Sequence, residues 1–399
     1  MVSILDSLKR QIQDLRIFRV LYDDTRFISE IARKFRECEK IVVIGTGGSS
    51  LGGKCLVNLA AAIRGNNPRV IFLENVDTLT FMNAINNLDP ISTGIIVISK
   101  SGRTTETLML FLTLIELWPN FDFRRRAISI TESSEDNDLR ILSDSLGMEI
   151  IDHDKEIGGR FSVFSVVGLL PALLEGWDID KFRAGAIEVL REIEDSTPPE
   201  DCPLMLDIQK MFKEFSGGKV DQHVLMVYSD ILEDYGKWYG QLVGESLGKR
   251  EDFGITLVRA IGTVDQHSQL QLYLAGPANK MFTLIGIREA PARSPKISDG
   301  RLKTVPGTIS NLIGHDIHRL MRSHMMATSE ALRDKGFVRI IDLDRLGEER
   351  SMGRMMMRNV IEVLGIAALA GVNPFDQPAV EKSKTQALSG LTTDFGLHR

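Results

Sequence analysis

One stretch of the sequence, residues 41–54, restricts the possible folds more than any other. Four β-branched residues, Ile41 to Ile44, run directly into a turn of glycine, serine and threonine, and a helical spacing of apolar residues follows from Leu56. This order predicts a buried parallel strand, a tight loop and the N-terminus of a helix. Free N–H groups at a helix start favour an anion, typically a phosphate. A glycine-rich turn that binds no ligand has the same pattern, so both interpretations stay open here.

The N-terminal half continues as an alternation of strands and helices. Helical periodicity over residues 3–38 comes first, and apolar runs predict strands at 41–44, 70–73, 94–99, 127–130 and 149–151. Helical patterns are predicted over 79–86, 105–117 and 158–177. Such alternation indicates a doubly wound parallel sheet with right-handed connections. Ligands of these sheets bind outside the carboxyl ends of the strands, where the loops after the first and third strands would both lie.

The C-terminal half predicts a second α/β unit. A stretch with three prolines and several acids, residues 195–203, is the clearest linker. Strands are predicted after it at 224–228, 255–260, 281–287 and 337–341, and helices over 309–333, over 351–370 and after 376. The predicted domains are a helical lead-in (1–38), a first domain with the phosphate loops (39–195), a second domain (204–345) and a C-terminal helical segment (346–399).

Composition excludes several classes of protein. The net charge is −6 and no long basic tract is present, which argues against a nucleic-acid-binding protein. Three widely spaced cysteines form neither a metal-ligand spacing nor a disulfide framework, so we expect a reducing, cytoplasmic location. The first residues lack a signal-peptide pattern, and no apolar run reaches the length of a membrane span.

A second polar loop strengthens the prediction of an anion site. Residues 99–107 place hydroxyl side chains and Lys100 directly after the third strand and before a helix. Hydroxyls and backbone amides at a helix N-terminus solvate a phosphate dianion without a metal. Thr104 or Thr105 could instead be an ordinary helix cap. Because two such loops follow the first and third strands, we expect them to bind an anionic ligand together.

Three further residues have types that suit proton transfer or charge stabilisation. Arg160 follows two glycines and could stabilise an oxyanion, whereas Glu245, on a helical stretch, could serve as a general base. His267 lies in a polar turn after a strand and suits proton transfer near neutral pH. Taken alone, each also has an ordinary structural explanation: a surface arginine, a solvated glutamate and a capping histidine.

Taken in order, the motifs resemble the glucose-6-phosphate isomerase (phosphoglucose isomerase) family in its compact bacterial form. Six segments carry the resemblance and span nearly the whole chain: 44–52, 99–107, 158–162, 244–249, 262–268 and 373–384. Each segment by itself is only moderately specific. Six of them in the order of the family are highly specific.

The resemblance implies a fold and an activity. The fold would be α/β, with two doubly wound sugar-isomerase-type (flavodoxin-like) domains, parallel sheets and a helical C-terminal region. The activity would be the reversible isomerisation of glucose 6-phosphate and fructose 6-phosphate in glycolysis and gluconeogenesis. It would proceed by ring opening and a cis-enediolate proton transfer, with a sugar phosphate as the only small-molecule partner and without metal or cofactor. The family resemblance also implies an obligate homodimer.

The resemblance further assigns roles to individual positions. Glu245 matches the catalytic base and Arg160 the arginine that stabilises the intermediate. His267 and Lys384 match the ring-opening residues, with His267 contributed across the dimer interface. The matching substrate- and phosphate-binding positions are Gly48, Ser49, Ser99, Lys100, Ser101, Thr104 and Gln377.

Two alternatives stay open beside this interpretation. A dual-specificity phosphoglucose/phosphomannose isomerase would share the phosphate loops, but the long C-terminal block that ends at Lys384 argues against it. A non-catalytic sugar-phosphate-binding regulator would use the same fold. The joint presence of Glu245, Arg160, His267 and Lys384 favours an enzyme.

Overall fold

The computed structural model describes residues 2–196, 202–291, 294–298, 306–345 and 347–390. The chain forms two compact units. Unit A comprises the described residues of Leu15–Lys54, Arg69–Glu175 and Gly371–Arg399, and unit B those of Met1–Asp14, Cys55–Pro68 and Gly176–Ala370. Each unit therefore collects segments that are distant in the sequence.

Each unit is built on one parallel sheet. Sheet A of unit A has the strand order β2-β1-β3-β4-β5, and sheet B of unit B has the order β7-β6-β8-β9. The strands are β1 (Lys40–Ile44), β2 (Val70–Leu73), β3 (Thr93–Ile98), β4 (Ala127–Thr131), β5 (Glu149–Asp152), β6 (Gln222–Val227), β7 (Thr256–Ile261), β8 (Lys280–Ile287) and β9 (Val338–Leu343). The order 2-1-3-4-5 of sheet A is that of flavodoxin-like folds.

The helices of the described residues lie before, between and after these strands. They are α1 (Val2–Asp14), α2 (Arg16–Arg19), α3 (Arg26–Arg33), α4 (Leu51–Arg64), α5 (Thr78–Asn86), α6 (Thr105–Leu117), α7 (Phe123–Arg126), α8 (Asp138–Ser145), α9 (Val166–Leu174), α10 (Ile179–Asp195), α11 (Pro203–Ser216), α12 (Glu233–Leu247), α13 (Leu270–Ala275), α14 (Gly307–Ser310), α15 (Ile317–Leu332), α16 (Glu349–Ala370) and α17 (Glu381–Gly390). No helix of the described residues is long and apolar enough to cross a membrane.

The central strands are continuous apolar runs because both faces of the sheet are covered. In β1, Val42 and Ile44 join a core cluster with side chains of α5, α6 and α8. Ile41 and Val43, which alternate with them on the other face, are also fully buried. A parallel sheet that is buried on both faces selects β-branched residues at every position. This explains why residues 41–44 carry no polar alternation.

The strand order of sheet A brings the two polar loops together. Strand β1 pairs with β3 along its whole length, from Lys40 with Thr93 to Ile44 with Val97. The chain turns to opposite sides after these two strands, since β2 lies beyond β1 and β4 lies beyond β3. Doubly wound sheets bind ligands at this switch point. The loops that start at Gly45 and Ser99 therefore lie side by side at the carboxyl edge of sheet A.

The fold class predicted from the sequence is confirmed. All nine predicted strands are present within two residues of their expected ends, and both sheets are parallel. The helices predicted at 105–117 and 79–86 are α6 and α5. Helices α16 and α17 supply the helical C-terminal region.

Two long helices expected from the sequence are interrupted. Residues 158–177 form a 3₁₀ segment, Gly159–Phe164, followed by α9. Ser165 separates the two because its hydroxyl donates to the carbonyl of Ser162 at 2.7 Å and accepts from the backbone N–H of Val167 at 3.3 Å. Serine hydroxyls compete in this way with the regular helical ladder.

The helix predicted over 309–333 is also divided, into α14 and α15. Gly314 adopts a positive φ of 83° between them, a conformation that glycine takes without steric cost. Asp316 then caps α15 by accepting from the backbone N–H of Arg319 at 2.8 Å. The apolar periodicity continues across this break, which is why the sequence pattern predicted a single helix.

The predicted domain boundaries stay a prediction. The helical lead-in expected over 1–38 consists of α1, α2 and α3, with α1 in unit B and the other two in unit A. The core of the predicted linker, residues 197–201, lies outside the described residues. Helix α10 ends at Asp195 and α11 begins at Pro203, on either side of it.

Candidate active site

The first loop packs backbone to backbone against the Gly158–Ser162 segment of unit A. A Cβ atom on Gly48 would lie 2.2 Å from the carbonyl carbon of Gly159. The Ser162 hydroxyl lies 2.9 Å from the carbonyl oxygen of Gly48 and 2.7 Å from that of Gly159, and it donates to one of them at a time. Two motifs that are remote in the sequence are thus one structural element. Ser49, half-buried, ends the 3₁₀ turn of this loop.

The second loop presents its hydroxyls at the start of α6. Ser99 is buried, and its hydroxyl donates to that of Thr104 at 2.9 Å. Thr104 is the N-cap residue of α6, but its side chain caps no backbone N–H group of the helix. The exposed Ser101 accepts from the backbone N–H of Arg103 at 3.2 Å. The first N–H groups of α6 therefore face the loop without a side-chain acceptor from Thr104, as an anion site requires.

A buried asparagine supports this loop from behind. Asn137, at 1% exposure, donates to the hydroxyl of Thr131 at 2.7 Å and to the carbonyl of Glu132 at 3.2 Å. Its Oδ1 accepts from the backbone N–H of Arg140 at 2.9 Å and so caps α8. Gly102, with a φ of 67°, leaves room for it, because a Cβ there would lie 1.7 Å from that oxygen. Asn137 thereby joins the loop after β3 to the loop after β4.

Lys100 is held in a defined position at the same edge. Its ammonium group donates to the carbonyl of Lys155 at 2.7 Å and lies 3.3 Å from a carboxylate oxygen of Glu132. The backbone N–H of Glu132 in turn donates to the carbonyl of Lys100 at 3.0 Å. Lys100 also lines an open cavity of about 510 Å³ together with Gly158, Gly159, Phe375, Asp376, Gln377 and Pro378.

Arg160 binds the backbone of the segment that carries Gln377. It is 1% exposed, and it donates to the backbone carbonyls of Pro374 and Asp376, the latter at 3.4 Å. Its guanidinium lies 5.1 Å from the ring centroid of Phe161, which contacts Phe375. Arg160 is therefore not a surface arginine, which was the ordinary structural explanation of this stretch taken alone. Arg160 therefore connects the glycine-rich segment to the stretch of chain that carries Gln377.

Four predicted site residues of unit A lie in or beside the Gly158–Ser162 segment and its cavity. Gly48 packs on Gly159, Arg160 belongs to the segment, and Lys100 and Gln377 line the cavity. Lys384 belongs to the same unit but lies on α17 with an exposed side chain, and it is not among the described residues that line the cavity.

Glu245 belongs to unit B and lies on α12. Its side chain is half-buried, and Oε1 accepts a hydrogen bond from Nε2 of Gln241 at 3.0 Å. Residues four apart lie on the same face of a helix. The spacing of Gln241 and Glu245 therefore indicated this contact, although the motifs did not single out Gln241. The helix ends within the 244–249 segment, at Leu247, with Gly248 as its C-cap residue. A carboxylate held in place on a regular helix suits a general base.

His267 follows β7 in a short, well-bonded turn of unit B. Oδ2 of Asp265 accepts from the backbone N–H of Ile261 at 2.7 Å, and its Oδ1 accepts from the hydroxyl of Ser268 at 2.6 Å. Burial alone would raise the pKa of Asp265, but the hydrogen bonds from Ser268 and Ile261 stabilise the carboxylate and lower it. The exposed imidazole of His267 is therefore carried by a rigid turn.

Gln266 attaches this turn to the rest of unit B. Its amide nitrogen donates to the hydroxyl of Tyr228 at 3.0 Å and also contacts the hydroxyl of Thr328. Thr328 lies on α15 and Tyr228 directly follows β6, so the turn is tied to two other elements of unit B. Neither Gln266 nor Asp265 carried a sequence signal that singled it out, because both are polar residues in a polar turn.

Comparison with known proteins decides the family. The phosphoglucose isomerase family model matches residues 18–274. A glucose-6-phosphate isomerase from Rubrobacter xylanophilus is 35% identical over 370 residues, which cover 89% of this chain and 83% of that protein. The chain belongs to the phosphoglucose isomerase family.

Two further proteins are similar to this chain over nearly its full length. A glucose-6-phosphate isomerase from Thermus thermophilus is 34% identical, covering 91% of this chain and 87% of its own. The solved structure of a hypothetical protein from Thermus thermophilus superimposes with a TM-score of 0.85 at 30% identity. That match covers 98% of this chain and 95% of the other. The predicted family is confirmed, whereas the roles of individual residues stay predictions.

Proposed function

We propose that this protein is a glucose-6-phosphate isomerase, which interconverts glucose 6-phosphate and fructose 6-phosphate. The observation that carries the proposal is the meeting of three family motifs in unit A. The Gly48 loop packs on the Gly159–Arg160 segment, and the hydroxyl loop at the start of α6 lies after the neighbouring strand. Membership of the phosphoglucose isomerase family supports the same reaction.

In this proposal the second loop binds the phosphate group. Ser99, Ser101 and Thr104 supply hydroxyls, and the N–H groups at the start of α6 add donors. Lys100 contributes a charge-assisted contact to the phosphate. Gly48 and Ser49 of the first loop line the neighbouring side of the binding site. Phosphate binding holds a small, flexible sugar, so that its binding energy serves to position the reacting carbons.

Proton transfer between two adjacent carbons needs one base. Glu245 takes the proton from C2 of the open-chain aldose, and the electron pair forms the C1=C2 bond of a cis-enediolate with the negative charge on O1. The O2 proton then moves to O1, and the same carboxyl returns its proton to C1 as the C2=O2 carbonyl of the ketose forms. Negative charge develops on the sugar oxygens during this step. Arg160, held rigidly by two backbone carbonyls, would stabilise that charge by electrostatic preorganisation.

Ring opening precedes isomerisation and requires a proton at the ring oxygen. We assign this step to His267 and Lys384, with Gln377 in contact with the substrate. We also propose a homodimer in which His267 serves the site of its partner subunit. The exposed fractions of Val264 (64%), Leu272 (52%) and Ile317 (74%) in unit B leave apolar surface that contact with a second copy would bury.

The decisive experiment measures conversion of fructose 6-phosphate to glucose 6-phosphate with excess EDTA, coupled to a glucose-6-phosphate dehydrogenase. Turnover that is unaffected by EDTA supports the proposed mechanism. Binding of the substrate without turnover would instead support a regulator, and turnover only with an added divalent metal would contradict the base mechanism. A parallel assay with mannose 6-phosphate separates a single-specificity enzyme from a dual-specificity one.

Glu245→Gln tests the base directly. We expect a loss of turnover of about a thousandfold or more, with binding of a phosphorylated sugar-acid inhibitor largely retained. Glu251→Gln is the matched control, because Glu251 is exposed and lies after the end of α12. Retained turnover in Glu245→Gln would remove Glu245 from the role of base.

Mixing two inactive variants tests whether His267 acts across a dimer interface. Glu245→Gln and His267→Ala subunits are unfolded together and refolded. If His267 serves the partner's site, heterodimers regain one intact site, and random pairing restores about a quarter of the activity. If His267 acts within its own subunit, the mixture stays inactive. Light scattering of the unmodified protein checks the dimer independently.

A further inference from the structure

Helix α12 has two functionally different faces. Gln241 and Glu245 share one face, joined by their hydrogen bond. Tyr235 and Tyr239, also four residues apart, lie on another face and are buried at 0% and 1% exposure. Their rings stack with an interplanar angle of 10°. The helix that carries Glu245 is therefore attached to the core of unit B through two tyrosines.

Both tyrosine hydroxyls are bound by α16. The hydroxyl of Tyr239 donates to Oε1 of Glu362, and Nδ2 of Asn359 donates to the hydroxyl of Tyr235 at 2.8 Å. Asn359 and Glu362 lie three residues apart on α16, at 4% and 2% exposure. These two hydrogen bonds are directional, so they determine both the rotation of α12 about its axis and its position along α16.

Glu362 is itself bound by a residue of β9, the edge strand of sheet B. Arg339 on β9 forms an ion pair with Glu362 and donates from Nε to the hydroxyl of Thr283 at 3.3 Å. His223 contacts the same hydroxyl at 2.8 Å. Burial disfavours the Glu362 carboxylate, but attraction to Arg339 outweighs this and lowers the pKa of Glu362. Burial first, and the neighbouring Glu362 second, raise the pKa of Tyr239, so its hydroxyl remains a donor.

Stability alone does not require such a network. Buried ion pairs can often be replaced by apolar residues of similar volume with no loss of stability, because desolvation cancels their attraction. What apolar contacts do not supply is a unique hydrogen-bonded geometry. A misplacement of a catalytic group by about 1 Å can cost about a hundredfold in rate.

We propose that Tyr239 and Glu362 are positioning residues, which set the orientation of α12 and thereby the direction of the Glu245 carboxylate. Arg339 keeps Glu362 ionised and in place. The inference rests on the proposed function of Glu245 as the base. It assigns a role to buried polar groups that the isomerisation itself does not use.

The first test is Tyr239→Phe, which removes one hydroxyl and keeps the ring. We expect kcat to fall about tenfold while KM changes less than about twofold, because binding groups are not altered. The matched control is Thr93→Val, which removes one buried hydroxyl that donates to the carbonyl of Asp89 at 2.7 Å, at the end of β3 opposite the Ser99 loop. It should leave kcat unchanged. An unchanged kcat in Tyr239→Phe overturns the proposal.

The second test separates positioning from stability. The triple variant Tyr239→Phe, Arg339→Met and Glu362→Leu replaces the ion pair and its hydroxyl partner by apolar side chains, so that the Tyr239 hydroxyl is not left buried without an acceptor. We expect the midpoint of thermal unfolding to be retained or raised while kcat falls about tenfold or more. Full activity with retained stability overturns the inference, as does a loss of activity that parallels a loss of folded protein. If the triple variant does not fold, the result for Tyr239→Phe decides the question.

Failure of this inference is distinguishable from failure of the proposed function. The unmodified protein is assayed first, and absence of isomerase activity there contradicts the proposed function itself. Activity in the unmodified protein together with full activity in both variants contradicts only the positioning role.

Discussion

Gly48 and Gly159 lie in direct backbone contact, and a side chain on Gly48 would place its Cβ 2.2 Å from the carbonyl carbon of Gly159. The contact is asymmetric. A Cβ on Gly159 would lie 3.4 Å from the Cα of Gly48, an ordinary packing distance. The first loop and the Arg160 segment can therefore pack this closely only because residue 48 has no side chain.

This asymmetry predicts different effects for two similar substitutions. Gly48→Ala forces the loops apart and should lower the free energy of unfolding by about 1–3 kcal/mol, as overpacking of a core does. Gly159→Ala should cost distinctly less. Urea unfolding of both variants measures the difference, and equal losses would contradict the contact.

Asn137 joins the loop after β3 to the loop after β4 and caps α8. Asn137→Ala should lower the free energy of unfolding by about 2 kcal/mol, because a cap is lost and buried hydrogen-bond groups lose a partner. KM for the sugar phosphate should rise as the Ser99 loop loosens. Asp77→Ala, which removes only the exposed cap of α5, is the control. We expect it to cost less stability and to leave KM unchanged.

Lys100→Met tests the phosphate side of the proposed site. Loss of a charge-assisted contact should raise KM for fructose 6-phosphate about tenfold or more, with a smaller change in kcat. Lys54→Met is the matched control, since Lys54 forms an ion pair with Glu74 at 2.7 Å near the first loop. Similar KM values for the two variants would exclude Lys100 from phosphate binding.

The buried His223 predicts a pH dependence of stability. Burial lowers the pKa of His223 to about 3 from its ordinary value of 6.5, with the positive charge of Arg339 acting in the same direction. Below pH 6.5 the unfolded chain binds a proton that the folded protein excludes. Stability should therefore be fully present above pH 6.5 and fall towards pH 3, by at most about 1.4 kcal/mol per pH unit from this group.

His223→Gln measures this contribution. Glutamine can keep the hydrogen bond to Thr283 but does not titrate, so the slope of unfolding free energy against pH between 6.5 and 4 should flatten. His153, whose pKa is also lowered by burial, contributes the same sign and remains in both proteins. An unchanged slope would show that His223 does not control this pH range.

Local sequence patterns predicted most of the fold. Strands such as β1 and β3 are recognisable because burial on both faces demands uninterrupted β-branched residues. The two interrupted helices were missed because their breaks depend on a few polar or glycine residues. Ser165 and Gly314 redirect the backbone, while the apolar periodicity continues across them.

The site residues divide in the same way. The hydroxyl loop at Ser99 and the base candidate Glu245 were accessible from motifs, because their spacing and residue types are local. Asn137, Gln241 and the network of Glu362 were not singled out. Gln241 could have been found from the sequence, because it lies four residues before Glu245 on the same helix. Glu362 could not, because its partners Tyr239 and Arg339 are remote from it in the sequence.

The sequence by itself determined the parallel α/β architecture, the glycine-rich turn after β1 and the order of the family motifs. These are set by side-chain periodicity and by glycine and hydroxyl residues acting on their immediate neighbours. Only the tertiary structure decided that Gly48 packs on Gly159, that Arg160 is buried against backbone carbonyls, and that α12 is held by Glu362. Such contacts join distant segments, and their energies depend on distance and burial that no local pattern encodes.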